Sequence, residues 1–195
     1  MDMPTIRTAS ADELDPVLHT VTLAFSSDPI MRWIFPDAGT YLKGFPLVVD
    51  AFAGMSVGKG TAFIAGDFGG AAMWLAPGVE SDGDRMGAVL AEHLAPERLE
   101  ELGELLAQMA AYHPHDENCW YLPVIGVDAL HQGRGLGSAL MKQATRMLDE
   151  SGSLAYLESS NPLNISLYQR HGFEIMGEIR AGTIPVMTPM IRQPQ

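Results

Sequence analysis

Residues Trp120–Glu150 read WYLPVIGVDALHQGRGLGSALMKQATRMLDE, and their hydrophobic pattern changes period halfway along. Trp120 to Val127 is a short apolar run rich in aromatic and β-branched residues, the composition of a strand buried on both faces. From Leu136 the apolar positions fall at Leu136, Ala139, Leu140, Ala144, Met147 and Leu148. That is the three–four spacing of an amphipathic helix, with Ser138, Lys142, Thr145, Arg146 and Asp149 turned outward. Between the two segments lies His131-Gln132-Gly133-Arg134-Gly135-Leu136-Gly137. Its alternating glycines remove the Cβ atoms that would hold a ligand off the backbone, and they permit the left-handed dihedrals of a tight turn. Because this loop opens straight into a helix, its amides lack intrahelical partners and sit at the positive end of the helix dipole. That setting suits a di-anion such as a pyrophosphate. Arg134 adds a full positive charge there.

Pro123 cannot donate to a β-ladder, so a proline inside this strand implies a bulge or a splayed edge. A strand opened at that point leaves the main-chain groups of Val124, Ile125, Gly126 and Val127 free to pair with an extended ligand that carries amides, as in strand addition. Amides at one end and a pyrophosphate at the other describe coenzyme A.

Val127 to Gly137 resembles the Q/R-x-x-G-x-G/A loop of the GNAT acyl-CoA N-acyltransferase superfamily, with Gln132, Gly135 and Gly137 on the motif positions. A later run, Asn161-Pro-Leu-Asn164-Ile-Ser-Leu167-Tyr168-Gln-Arg-His-Gly172-Phe173, resembles the N-x-x-x-x-x-L-Y-x-x-x-G-F helix of the same superfamily. The lead-in from His113, the His131-Gln132-Gly133 loop and Leu157-Glu158-Ser159-Ser160 are similar to the branch containing puromycin N-acetyltransferase. The resemblance implies an α+β fold over residues 1–195 as one domain: a central mixed sheet of about six to seven strands with a splayed parallel pair, flanked by helices. It also implies that acetyl-CoA is the cosubstrate, that no metal takes part, and that the acetyl group passes to a primary amine of a small molecule or peptide. The amine would attack directly in a ternary complex.

For the coenzyme site the resemblance implies Ile125, Gly126, Val127, Gln132, Gly133, Arg134, Gly135, Leu136, Gly137, Ser138, Asn164 and Tyr168. Tyr168 would lie near the coenzyme sulfur as general acid, and Glu158 at a strand end would be the base, with Asp28 or a water chain next in line. An N–H of Ile125 or Val127 would polarise the thioester carbonyl. Gln132 would brace the loop, Asn161 would cap a helix, and His131 and His171 would be structural. The alternative is an acyl-CoA-binding sensor or interaction domain without turnover. A dinucleotide fingerprint fails because the third glycine comes one position early and only about sixty residues follow, too few for further crossovers.

A formal net charge of −12 repels nucleic-acid phosphates and permits cationic amines as partners. The 195 residues, 47% of them apolar, suit one domain with a full core. The first residues lack a basic region followed by an apolar stretch, and no apolar run reaches membrane length, so neither secretion nor insertion is expected. The single Cys119 fits a reducing cytoplasm. A homodimer is permitted, and nothing in the sequence fixes it.

Along the chain, Thr5–Ala9 reads as a strand, and Ser10 with Glu13 as a capping box opening a helix to about Phe25. Asp28-Pro29 breaks that helix, and residues 30–36 form a non-periodic aromatic segment suited to a pocket wall. A helix from Tyr41 to Val57, strands at 61–65 and 71–75 around a glycine-rich turn, and helices over 81–93 and 96–112 follow. By resemblance the 81–112 insertion lies over the acceptor pocket. The His113–Glu117 loop is solvated rather than a metal site. Leu154–Glu158 is a strand parallel to the Trp120 strand. Pro162 starts a short helix that Gly172 ends, and 173–179 with 186–191 make a last antiparallel pair.

Overall fold

A computed structural model describes residues 4–195. Strand β1 (Ile6–Thr8) leads through a short turn into helix α1 (Leu14–Ala24). The Ser10 N–H donates to Glu13 Oε2 at 2.8 Å, the capping-box bond that the sequence predicts. The 30–36 segment is ordered differently from expectation: α2 (Pro29–Ile34) is a true helical turn and a half. Asp28 Oδ1 accepts from the N–H groups of Ile30 and Met31, both at 3.0 Å, and Pro29 takes the first helical position. Six residues are too few to display a helical period, so the cap was the only signal.

Helix α3 (Ala38–Ala53) begins three residues before Tyr41 because the Asp37 side chain accepts from Thr40 N at 2.9 Å. A four-residue turn, α4 (Met55–Gly58), follows it. Strands β2 (Ala62–Ala65) and β3 (Gly70–Leu75) form the hairpin, and helices α5 (Gly83–His93) and α6 (Pro96–Tyr112) follow. Next come β4 (Cys119–Val127), α7 (Leu136–Glu150), β5 (Leu154–Ser159), α8 (Ile165–Arg170), β6 (Glu174–Ile175) and β7 (Thr188–Arg192). The seven strands form one mixed sheet in the order β1-β2-β3-β4-β5-β7-β6, with β4 and β5 its parallel pair. The α+β class and the splayed parallel pair are therefore as expected. The last antiparallel pair is also present, as β6 with β7, but β6 is only two residues long, Ile179 and Met187 add an isolated bridge, and β7 inserts between β5 and β6.

Each face of the sheet is covered by helices. Val17, Val21, Phe45, Val49, Leu102 and Leu105 from α1, α3 and α6 pack on one face, together with Met73 and Val124. Leu136, Leu140, Met141, Ala144 and Leu148 line α7 on the other, against Trp74, Leu122 and Leu157. The alternation of Met73 and Trp74 between the two clusters is the period of two expected of a strand.

Strand β4 departs from the expected burial on both faces. Cys119, Leu122 and Val124 are buried, whereas Tyr121, Pro123, Ile125, Gly126 and Val127 are half-buried. The cause is that β4 loses a neighbour halfway. It pairs with β5 only at Cys119–Leu154, Trp120–Ala155 and Tyr121–Tyr156. With β3 it stays paired out to Gly70–Val127, but Met73 lies opposite Val124 while Leu75 lies opposite Tyr121. Two steps on β3 thus face three on β4, a bulge at Leu122–Pro123 that turns the rest of β4 away from β5. Strand β5 meanwhile is fully paired on its other side with β7, from Ala155–Arg192 to Ser159–Thr188.

An ion pair between a buried arginine and a partly exposed aspartate fixes the end of β7. Arg192 is 3% exposed and grips Asp149 of α7 through two bonds of 2.7 and 2.9 Å, while its Nε donates to the His171 carbonyl. Asp149→Asn leaves that guanidinium buried without its counter-charge, and the expected loss is about 3 kcal/mol of unfolding free energy, read from urea denaturation. An unchanged midpoint would mean that the pair contributes nothing.

Candidate active site

The parting of β4 from β5 opens a cavity of about 510 Å³ bounded by α1, β4, the glycine loop, the start of α7 and α8. Asp128 N donates to Gly69 O at 3.1 Å, so by antiparallel alternation Gly126 and Val124 turn their main-chain groups to β3. The N–H and C=O groups of Ile125 and Val127 then face the gap. Gly126 is needed for a different reason. A Cβ there would stand 2.6 Å from the Ala24 Cβ and 3.2 Å from the Phe25 ring, so α1 can approach the strand only because this side chain is missing.

The loop after β4 meets the cavity through Gln132, Gly133, Gly135, Leu136, Gly137 and Ser138. Gly133 and Gly135 hold φ of +73° and +79°, and Gly135 is the residue from which α7 starts. Gly137 already has helical backbone in the first turn of α7, so its glycine is not required for a left-handed dihedral, contrary to the three-glycine expectation. Gln132 Nε2 donates to the Val127 carbonyl at 3.1 Å and braces the loop as predicted. Arg134 is exposed and is not part of the cavity wall, whereas Arg170 at the end of α8 is. The motif alone gave no sign of Arg170, whose place follows from the direction in which α8 runs.

Tyr168 lies 5% exposed between this cavity and a narrow cleft of about 30 Å³ that also takes in Phe25, Leu122, Pro123, Ile125, Glu158 and Ser160. Its hydroxyl has no hydrogen-bond partner among the described residues, and burial, with the nearby Asp28 charge, pushes its pKa well above the usual phenol value. It is a phenol that keeps its proton and can offer it. Asn164 borders both cavities, and Asn161 caps the turn before α8 through its Oδ1 to Leu163 N, at 3.0 Å.

Glu158 stands at the open end of β5. Burial pushes its carboxyl up to about 7, partly offset by the Tyr121 hydroxyl, which donates to Oε2 at 2.7 Å. The His113 ring meets the faces of Tyr121 and Tyr156 edge-on at 5.3 and 5.0 Å, holding these phenols beside the carboxyl. A group that exchanges its proton near neutrality suits a general base. Asp28 is a second buried carboxylate here, whose Oδ2 accepts from Ser160 Oγ at 2.5 Å and whose pKa burial also raises. In the sequence, Asp28-Pro29 reads as a helix break, and Asp28 stands next in line as base should Glu158 not serve. The phenol, two carboxylates and main-chain amides thus surround one gap. Among the described residues no three His, Cys, Asp or Glu side chains converge as metal ligands.

The model of the acetyltransferase (GNAT) family matches residues 70–173, which span this site. An uncharacterised N-acetyltransferase of Schizosaccharomyces pombe is 26% identical over 153 residues, 70% of this chain, and the chain spans only 61% of that relative's length. Among solved structures, the Corynebacterium glutamicum protein described as histone acetyltransferase HPA2 and related acetyltransferase superposes with a TM-score of 0.71 at 22% identity, covering 100% of this chain and 98% of the other. Arylalkylamine N-acetyltransferase 2 of Aedes aegypti gives 0.68 at 12% identity over 100% of both chains. The polyamine N-acetyltransferase of Drosophila melanogaster gives 0.66 at 16% identity, over 98% of this chain and 100% of that one. These structures share the fold.

The Glu158 environment sets a measurable titration. Its side-chain carboxyl carbon, followed by NMR in glutamate-labelled protein against a Glu158→Gln control, is expected to titrate at about 7. Tyr121→Phe removes a donor that favours the charged form and moves the midpoint higher. A midpoint at the ordinary glutamate value would contradict the buried setting.

Proposed function

The chain belongs to the acetyltransferase (GNAT) family, and on that premise we propose that it transfers the acetyl group of acetyl-CoA to a primary amine of a small molecule or peptide, by direct attack in a ternary complex. The observation that carries this reading is the loss of β4–β5 pairing beyond Tyr121, next to a glycine cradle and with Tyr168 bordering both. The pantetheine arm would replace β5 as the partner of Ile125 and Val127, and the diphosphate would rest on the amides of Gly133 to Ser138 with Arg170 beside them. Arg134 would act only through its field from the exposed rim.

In the reaction the amine nitrogen forms a bond to the thioester carbon while the Ile125 or Val127 N–H steadies the developing oxyanion. Glu158 takes the proton that the attacking ammonium must lose, directly or through water. The C–S bond breaks as the Tyr168 hydroxyl hands its proton to the departing thiolate. No acyl-cysteine step enters, since Cys119 sits at the paired end of β4 with its thiol pushed up to about 11 by burial. An amine acceptor is favoured by the carboxylates at the gap, by the net charge of −12, and by the amines for which the arylalkylamine and polyamine N-acetyltransferases of the same fold are named. The similarity of Leu157–Ser160 to the puromycin N-acetyltransferase branch brings bulkier amines into the same reading. Residues 81–112, as α5 and α6, pack on the same face as α1 and α3, though none of them lines either cavity, and by resemblance would cover the acceptor side. We place the protein in the cytoplasm, where acetyl-CoA is made available and where a lone buried thiol is stable.

Acetyl-CoA mixed with a panel of primary amines is expected to release free thiol. Binding of the coenzyme without release would identify a sensor instead. Tyr168→Phe should leave the coenzyme Kd within about twofold and lower kcat by about 100-fold. In the native protein kcat/KM should rise with pH through about 7 as Glu158 loses its proton. Glu158→Gln should remove that rise, and a retained rise would assign the base elsewhere.

A further inference from the structure

The third residue of α7, Ser138, faces the large cavity, and its Oγ lies 2.9 Å from Nε2 of His171, the residue that closes α8. Thirty-three residues separate the two in sequence, so neither motif shows the contact. A hydroxyl has one proton to give. If His171 Nε2 is bare, Ser138 spends that proton on the ring and presents only lone pairs to the cavity. If Nε2 carries a proton, it donates to Ser138 Oγ and the hydroxyl proton is free to point at an anion.

We propose that His171 is a positioning residue for the coenzyme: an Nε2–H donated to Ser138 turns the serine hydroxyl toward the diphosphate, so that coenzyme binding draws the ring into its Nε2-protonated form. This rests on the acetyl-CoA reading above. The groups around the ring agree with it. Partial burial, then Arg170 on α8, Arg192 on β7 and Lys142 on α7, disfavour a second proton on the free ring. Arg192 is already matched by Asp149, which leaves Arg170 and Lys142 as the charges that an arriving diphosphate offsets. His171 Nδ1 has no hydrogen-bond partner among the described residues, so no neighbouring acceptor locks the neutral ring into the wrong tautomer. Once the anion is bound, repulsion on the ring falls and a favourable acceptor for Ser138 appears. The Nε2–H donation to Ser138 is available to the neutral ring as well, so it is the fall in repulsion that brings a second proton to His171, and the coenzyme binds more tightly as pH falls through the histidine range. A one-unit rise in the ring pKa on binding corresponds to at most about tenfold in Kd.

The test is calorimetric titration of the full chain with coenzyme A at pH 6, 7 and 8 in two buffers of different ionisation enthalpy, for the native protein, His171→Gln and His171→Ala. The coenzyme's own phosphate titrates in this range and contributes equally to all three proteins, so the readout is the difference between them. The native protein is expected to take up more protons than either variant. His171→Gln, whose amide donates to Ser138 at every pH, should keep the affinity of the native protein at pH 6 within about threefold and show no pH-dependence of its own. His171→Ala should bind about three- to tenfold more weakly, the loss of one hydrogen bond to the anion's donor. An unweakened His171→Ala overturns the role of His171 and leaves the acetyl-CoA reading standing, and equal proton uptake in the native protein and His171→Gln overturns the pH linkage. Absence of any binding heat in all three overturns both.

Discussion

The absent N–H of Pro123 is the constraint on which the site depends. A parallel pair such as β4 and β5 is ordinarily continuous, because each unpaired main-chain group in a half-buried strand costs about 1–3 kcal/mol. Here the pairing stops at Tyr121, and the bulge against β3 swings Val124 to Val127 off the plane of β5. What makes the opening tolerable is support on every other side. Strand β3 holds β4 out to Val127, and β7 holds β5 out to Ser159. The Arg192–Asp149 pair ties β7 to α7. The gap is thus a rigid interruption in a well-braced sheet, which is the preorganisation that a strand-like ligand needs if it is not to lose affinity to ordering the protein.

The same gap separates the proposed acid from the proposed base. Tyr168 and Glu158 border one cleft, and burial acts on both in the same direction, raising each pKa. The outcomes differ because their ordinary values differ. A phenol raised further stays protonated at neutral pH and can only give its proton, while a carboxyl raised to about 7 sits where it can accept one and release it again. The Tyr121 bond keeps Glu158 from rising further, so the aromatic cluster of Tyr121, Tyr156 and His113 is part of the tuning rather than inert packing.

Much of this was legible in the chain because it was encoded locally. The change of period across Trp120–Glu150, Pro96 at the first position of α6, and Asn161 ahead of Pro162 each carry their structure within a few residues. Features set by distant contacts were not legible. Helix α2 is too short for a period, and β7 slips between β5 and β6 because sheet order is decided by packing and not by sequence order. Arg134 was expected at the cradle because it lies in the loop, whereas Arg170 reaches the cavity through the direction of α8. The Asp28–Ser160 and Ser138–His171 contacts join segments far apart in sequence. Side chains brought together by tertiary structure have no periodic signal to read.

That division also separates the two halves of the site. The proposed coenzyme half is built from main-chain groups and glycines, whose positions are fixed by turn geometry and helix starts, so a short motif is enough to specify it. The acceptor half is built from side chains contributed by α1, β4 and β5, with α2, α5 and α6 packed on the same face. Its cleft of about 30 Å³ holds about one water's worth of space, so the proposed amine would have to displace some of what now fills it. Phe25 is placed for this, since it ends α1 and contacts both cavities, and α1 reaches the strand only across the bare backbone of Gly126. Selection among amines then depends on how far that aromatic ring and the Asp28–Ser160 contact behind it can yield. It is a property of side-chain packing across three elements, and it explains why a chain can share its coenzyme motif with a whole family while choosing its own acceptor.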